Sequence, residues 1–196
     1  MQMLEQLVFA SANENKVKEV EQKMGGITPL VGLKAIGCNE EIPETSDTLE
    51  GNARQKAWYV WNNYQVNCFA DDTGLEIYSL NNEPGVYSAR YAGDHKDSND
   101  NIAKVLANME GIEERNARFR TVICLIIDGK EQLFEGIAEG KIATELKGSE
   151  GFGYDPIFIP NGSTRSFAEM SLQEKNEISH RGKAIKMLAD YLKSVI

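Results

Sequence analysis

Cysteine is scarce and unpatterned in this chain of 196 residues: Cys38, Cys68 and Cys124 are odd in number and far apart, with no Cys-x-x-Cys spacing. That spacing supports neither a disulfide scaffold nor a zinc site. Cys68 and Cys124 fall in apolar, strand-like runs, where a small buried thiol is the expected state, and a reducing cytoplasm fits best. Long apolar runs are missing too. The purest of them, Val122 to Ile127, is far too short to span a bilayer. The opening segment Met1 to Ala10 lacks a basic lead and carries Glu5, so it does not read as a signal peptide. No membrane anchor is expected. Positive charge is also in deficit, 21 Lys and Arg against 30 Asp and Glu, for a net charge of −9. The balance argues against nucleic acid or an anionic membrane as a partner. An acidic protein still binds a polyphosphate where its cations converge locally and a divalent cation assists.

What is present suits a globular chain: 41% hydrophobic and 26% charged residues. The length allows one ordinary domain, 1–196, or two lobes sharing one sheet. The organising stretch is Phe69-Ala70-Asp71-Asp72-Thr73-Gly74-Leu75. An apolar run from Val66 to Ala70, interrupted by Asn67, predicts a short buried strand that then meets two carboxylates, a hydroxyl and a glycine. Side chains alternate across a strand, so Asp71 and Asp72 take different environments. One is expected to brace the turn and the other to enter a cleft beyond the strand's carboxyl end. An Asx-type turn capping the strand is the plainer alternative. Together with the other polar clusters, the stretch points to a metal and phosphate site.

Residues 4–10 predict a first strand, followed by Ser11-Ala12-Asn13-Glu14-Asn15-Lys16. Asn13 is a good N-cap for a helix ending near Met24, with Gly25-Gly26 beyond it. A strand, a polar turn and a helix amino terminus form a natural anion site, to which Lys16 adds a charge-assisted contact. An ordinary turn with a solvated lysine is the alternative. Residues 27–36 predict a second strand region, broken by Pro29 and Gly32. The acidic loop Asn39 to Asp47 has no hydrophobic periodicity and either stays solvated or delivers carboxylates to a Mg²⁺ shared with Asp72. Asp47 or Thr48 caps a helix from Leu49 to Tyr64, on which Asn52 and Lys56 lie one turn apart on one face.

Leu75 to Leu80 reads as further strand, closed by turn residues 81–85. Residues 86–93 read as an ordered loop, with Arg90 near phosphate or purely structural. Asp97 or Ser98 caps a helix reaching Met109. Asp128-Gly129 between two strand-like runs predicts a tight hairpin. In Gly148 to Pro156 the glycines permit positive φ and close backbone approach, and Phe152 between Gly151 and Gly153 can face a planar base. Ser171 to Glu174 is a capping box opening a short helix that carries Lys175. Ser179 starts a last helix with core positions Ala184, Ile185, Leu188, Tyr191, Leu192 and Val195. His180 and Arg181 then fall in its first turn, where positive charge costs up to ~1 kcal/mol. Such a local violation often marks a functional site.

Six blocks in this order resemble the inosine/xanthosine triphosphate pyrophosphatases, which clear non-standard purine nucleotides. They are Ser11 to Lys16; Glu44-Thr45 with Asn52-Ala53 and Lys56; Ala70 to Leu75; Pro84 to Gly93; Gly151 to Phe158; and Ile178 to Ala184. Each block alone is modest, and the ordered set is highly specific. The resemblance implies an α/β fold with an elongated mixed central sheet, flanking helices, two lobes around a central cleft, and usually a homodimer. It implies Mg²⁺-dependent hydrolysis of ITP, dITP or XTP to the monophosphate and pyrophosphate. Asp72 would be the general base and, with Glu44 (or Glu41), would serve the metal. Ser11, Ala12, Asn13, Glu14, Asn15 and Lys16, with Lys56 and Thr73, would hold the triphosphate. Phe152 would stack on the purine, with Gly153, Tyr154, Asp155, Lys175, His180 and Arg181 at its edge or the adjoining phosphate. Two departures stand close together: Ser46 replaces a glycine common after Glu-Thr, and Gly51 stands where an acidic residue usually precedes Asn-Ala. Ala12 also replaces a common glycine, and Thr73 a common serine. A haloacid-dehalogenase-type phosphatase is excluded because Asp-x-Asp fails at Thr73. A septum-protein-type nucleotide pyrophosphatase and a nucleotide-binding sensor are the remaining alternatives.

Overall fold

The computed structural model describes residues 6–24 and 26–195; Gly25 and residues 4 and 5 of the expected first strand lie outside the described residues. The fold is mixed α/β. A seven-stranded sheet has the order β2-β1-β3-β5-β6-β7, with β4 paired to β3. Here β1 is Leu7–Phe9, β2 Leu30–Gly32, β3 Cys68–Ile77, β4 Glu83–Gly85, β5 Asn116–Ile127, β6 Lys130–Ile142 and β7 Phe158–Pro160. Among the described residues, five helices accompany it: α1 Glu14–Met24, α2 Leu49–Tyr64, α3 Ser98–Asn108, α4 Leu172–Ile178 and α5 His180–Val195. None of the described helices is long and apolar enough to cross a membrane.

The chain forms two compact units. The first comprises residues up to Asp72, Thr121–Gly136 and the segment from Arg181. Its core packs Leu7, Phe9 and Phe69 of β1 and β3 against Val20 and Met24 of α1 and Ala184, Ile185, Leu188 and Leu192 of α5. The i, i+3, i+4 spacing of those helical residues is what turns one face of each helix to the sheet. β1 runs parallel to both β2 and β3, with Val8 opposite Cys68 and Phe9 opposite Phe69. The second unit is Thr73–Arg120 with Ile137–His180. Its core joins Leu75 and Ile77 to Ile102, Val105 and Met109 of α3 and to Phe119, Phe158 and Phe167. In the hairpin between β5 and β6, Asp128 and Gly129 take φ of 50° and 73°, as a tight two-residue turn requires.

Several sequence expectations are corrected. Only Leu30–Gly32 of the expected second strand pairs; the chain then tightens into a 3₁₀ turn, Leu33–Ile36. The strand expected to stop at Ala70 runs unbroken through both aspartates to Ile77, so Asp71 and Asp72 sit within a strand, not in a turn beyond its end. The apolar residues on either side of the acidic pair are what keep the segment extended and buried. Glu83–Gly85, expected as turn, pairs antiparallel with β3, and Tyr78–Leu80, expected as strand, forms a 3₁₀ turn. Ser179 closes α4 instead of opening α5, and Val195 is exposed, not core. All three cysteines are buried free thiols, as expected for Cys68 and Cys124, where burial pushes the pKa up to about 12.

Candidate functional site

In the first unit, a charged cluster grows from the middle of β3. Alternation along the strand separates its two carboxylates. Asp71 is 2% exposed and accepts from Lys16 Nζ at 3.1 Å and from Arg181 Nε at 3.2 Å. Arg181 is itself buried and donates through Nη1 to Glu19 of α1. Burial works against charge at Asp71, yet Lys16, Arg181 and Lys56 outweigh it and hold the carboxyl below the usual carboxylate range. Burial likewise opposes the charge on Arg181, but Glu19 and Asp71 hold its pKa above the ordinary value. At Lys16 burial prevails, and the pKa falls despite Asp71. Asp71 therefore braces no turn, the role expected for one of the pair, but ties α1 and α5 to the strand through Lys16 and Arg181.

Asp72 has the opposite electrostatics. Its Oδ2 accepts from Asn52 Nδ2 at 3.0 Å. Burial, reinforced by the nearby Glu44 carboxylate, raises its pKa in spite of Lys56 and Lys16. A carboxylate made more basic in this way is suited to accept a proton. Lys56 is ion-paired with Glu44 and senses Asp72, Glu44 and Asp71, which together overcome its burial and raise its pKa. Burial disfavours the Glu44 anion, but Lys56 prevails and lowers its pKa. Glu41, the other acidic-loop candidate, is exposed.

The acidic loop is fastened to α2 along its length. Tyr59 and Tyr64 both donate to Glu40 Oε1, at 2.9 and 2.7 Å. Thr45 N donates to Gln55 Oε1 at 2.9 Å, and Ser46 N to Asn52 Oδ1 at 2.9 Å. Thr48 then caps the helix by accepting from Gly51 N. Among the described residues, no group of three or more His, Cys, Asp or Glu is placed to hold a metal unaided. Glu44 and Asp72 nevertheless form an all-oxygen pair of anions whose repulsion Lys56 offsets. That donor set fits Mg²⁺, which commonly takes one or two carboxylates and completes its shell with phosphate oxygens and water.

The amino terminus of α1 stands as the sequence predicted. Asn13 Oδ1 accepts from Asn15 N and Lys16 N at 3.0 and 3.3 Å, and Ser11 Oγ accepts from Asn13 N at 3.2 Å. Ala12, Asn13, Glu14 and Asn15 are exposed at this terminus.

In the second unit, the glycine-rich loop folds round one carboxylate. Asp155 Oδ2 accepts from Phe152 N at 2.8 Å and from Lys175 Nζ at 2.6 Å. A Cβ on Gly151, which has φ of +75°, would lie 2.1 Å from that oxygen, so only glycine lets Asp155 reach back. Lys175, supplied by α4, lies 4.7 Å from the Phe152 ring centroid. Phe152 and Gly153 are half-buried. Tyr154 donates to Ser88 O at 2.7 Å and is a buried pillar of the loop. The His180 ring stacks on Phe119 with centroids 4.5 Å apart. Arg90, for which phosphate was one expectation, rests over the Tyr87 ring at 5.2 Å. Thr73, next to Asp72 in β3, is half-buried. Glu19 escaped sequence reading because it sits among the apolar positions of α1; an arginine in a buried helix start was the only hint that such an acid existed.

Residues 7–191 match the Ham1 family. The chain is 52% identical over 189 residues to the dITP/XTP pyrophosphatase of Flavobacterium psychrophilum, covering 96% of this chain and 100% of that one. Among solved structures, the Ham1 protein of Staphylococcus aureus has a TM-score of 0.89 at 35% identity, covering 97% of this chain and 100% of that one. A nucleoside-triphosphatase, dITP/XTP pyrophosphatase, from Mycobacterium abscessus has a TM-score of 0.76 at 40% identity, with 93% and 98% covered.

Proposed function

The chain belongs to the Ham1 family, and from that premise we propose that it hydrolyses non-standard purine nucleoside triphosphates (dITP, XTP and ITP) to the monophosphate and pyrophosphate. The observation that carries this reading is Asp72: a carboxylate made more basic by burial, fixed by a neutral donor, and set beside Glu44, Lys56 and Lys16. In the reaction proposed, water attacks the α-phosphorus as its proton passes to Asp72. A bond forms from the water oxygen to that phosphorus, and the bridge to the β-phosphate breaks, releasing pyrophosphate.

Lys16 and Lys56 are assigned to balance negative charge on the phosphates and the leaving group, with the first loop (Ser11, Ala12, Asn13, Glu14, Asn15) and Thr73 as further phosphate contacts. Glu44 and Asp72 are the residues that would hold Mg²⁺, which when bound supplies charge neutralisation at the phosphates. In the second unit Phe152 offers the ring face on which a purine stacks, presented by Gly153, Tyr154 and Asp155. Lys175, His180 and Arg181 are assigned to the purine edge or adjoining phosphate. Hypoxanthine and xanthine carry an acceptor at position 6 where adenine carries an amino donor. Leaving a buried donor unpaired against adenine costs ~1–3 kcal/mol. We further assign a cytoplasmic location, which the buried free thiols favour, and a homodimeric state, which the family resemblance favours and light scattering checks.

The test is pyrophosphate release from dITP, XTP, ITP, GTP, ATP, dTTP and UTP, with Mg²⁺ and with a chelator. Preference for the first three with Mg²⁺ bears the reading out. Preference for dTTP or UTP, or nucleotide binding without pyrophosphate release, overturns it.

A further inference from the structure

Asn52 is 2% exposed in the first turn of α2 and bonds in two directions at once. Its Oδ1 accepts the Ser46 backbone N–H at 2.9 Å, and its Nδ2 donates to Asp72 Oδ2 at 3.0 Å. The polarity of this link is not free to reverse. A backbone N–H can only donate, so the amide oxygen must face Ser46 and the amide nitrogen must face Asp72. We infer that Asn52 is the positioning residue for Asp72, fixing the carboxylate against the loop that carries Glu44.

The choice of an amide follows from the charges already present. Lys56, on the same helix, is already paired with Glu44, and an amide can accept from a backbone N–H and donate to a carboxylate at the same time. A neutral donor holds the carboxylate without adding charge. The same side chain also sets the loop: Ser46 follows Glu44 by two residues, and Glu44 is paired to Lys56 one turn further along α2. Both carboxylates are thereby referenced to a single helical turn. A supporting shell that orients a catalytic group typically changes activity by about ten- to a hundredfold when removed.

The inference rests on the proposed role of Asp72 as base, and the experiment separates the two. Asn52→Asp is nearly isosteric and keeps an oxygen for the Ser46 N–H, but replaces the donor facing Asp72 with a carboxylate. Asn52→Leu removes both bonds. The expected result for Asn52→Asp is slow exchange of the Ser46 amide as in the wild type, with kcat for dITP lower by about ten- to a hundredfold and KM little changed. Asn52→Leu loses both the protection and the turnover. Independently of activity, the Asn52 side-chain NH₂ signal in a ¹⁵N spectrum is expected to move in Asp72→Ala. An Asn52→Asp enzyme with wild-type kcat, or an Asn52 signal unmoved by Asp72→Ala, overturns the inference alone. A wild-type protein that releases no pyrophosphate from any of the purine substrates overturns the functional reading on which it rests.

Discussion

Ser46 and Gly51 share one space: a Cβ on Gly51 would lie 1.8 Å from the Ser46 hydroxyl and 2.6 Å from its Cβ. These are the two positions at which the acidic loop departs from the pattern it resembles, glycine then acid there, serine then glycine here. The two positions are sterically coupled, so a side chain gained at one is expected to exchange with one lost at the other. Gly51→Glu is therefore expected to cost about 1–3 kcal/mol through overpacking. Ser46→Gly in the same chain should recover most of it, giving a coupling of about 0.5–3 kcal/mol in a double-mutant cycle followed by urea denaturation. Strictly additive losses would contradict the exchange.

Asp72→Asn is expected to reduce pyrophosphate release by at least about a hundredfold while the thermal transition stays near that of the wild type. The sign of the pH dependence follows from its burial. Its raised pKa means that the base is lost to protonation at a higher pH than an ordinary aspartate would be, so the acid limb of kcat/KM should lie above the usual aspartate range. Full activity in Asp72→Asn would remove it from the role of base.

The buried chain Glu19–Arg181–Asp71–Lys16 makes a different demand. Removing one member leaves charge stranded in a low-dielectric interior, so Glu19→Ala should destabilise the fold by about 3–5 kcal/mol. The folded pKa of Asp71 is depressed, so its contribution is complete above the unfolded aspartate value and is lost as pH falls through the folded one. Denaturation of wild type and Glu19→Ala across acid pH checks both statements. A loss below about 1 kcal/mol, the scale of an exposed pair, would show that the cluster carries little of the stability.

Gly151→Ala should unseat the loop round Asp155. Both the positive φ and the approach of Oδ2 forbid a side chain there. With Phe152 no longer held through its N–H, KM for dITP is expected to rise more than kcat falls. An unchanged KM would detach Phe152 from nucleotide binding.

Glu40 offers a titration readout of the acidic loop. The hydrogen bond from Tyr64, then its own backbone and Tyr59, lowers its pKa from 4.5 to about 2. The stabilisation is present above the unfolded value and fades as pH drops toward about 2. Tyr64→Phe should return the Glu40 carboxyl toward 4.5 in an NMR titration. An unmoved carboxyl would refute the anchoring role of Tyr64.

Local chemistry made much of this molecule legible in its sequence. Asn13 and Thr48 start their helices, Asp128-Gly129 makes its hairpin, and Ser171 boxes α4, because each depends on neighbours a few residues away. What depended on distant partners was hidden. Nothing near Glu19 reveals that Arg181, 162 positions later, will meet it. The continuity of β3 past Ala70 was also hidden, since acidic residues within a buried strand become tolerable only when cations arrive from other segments. Likewise nothing near Asp155 reveals that Lys175, 20 positions later, will meet it.

The unbroken course of β3 has one more consequence. Two chemically identical carboxylates, one peptide unit apart, are kept distinct only by the pleat: one is neutralised by cations, the other left basic. Slippage of that strand by a single position against its neighbour β1 would carry one carboxylate into the other's site and bring Ala70 or Thr73 into the place it left. The apolar contact of Phe9 with Phe69, stacked at 4.6 Å, thus guards the placement of the proposed base, and a mutation in this greasy interior is expected to silence the chemistry without touching a single polar atom.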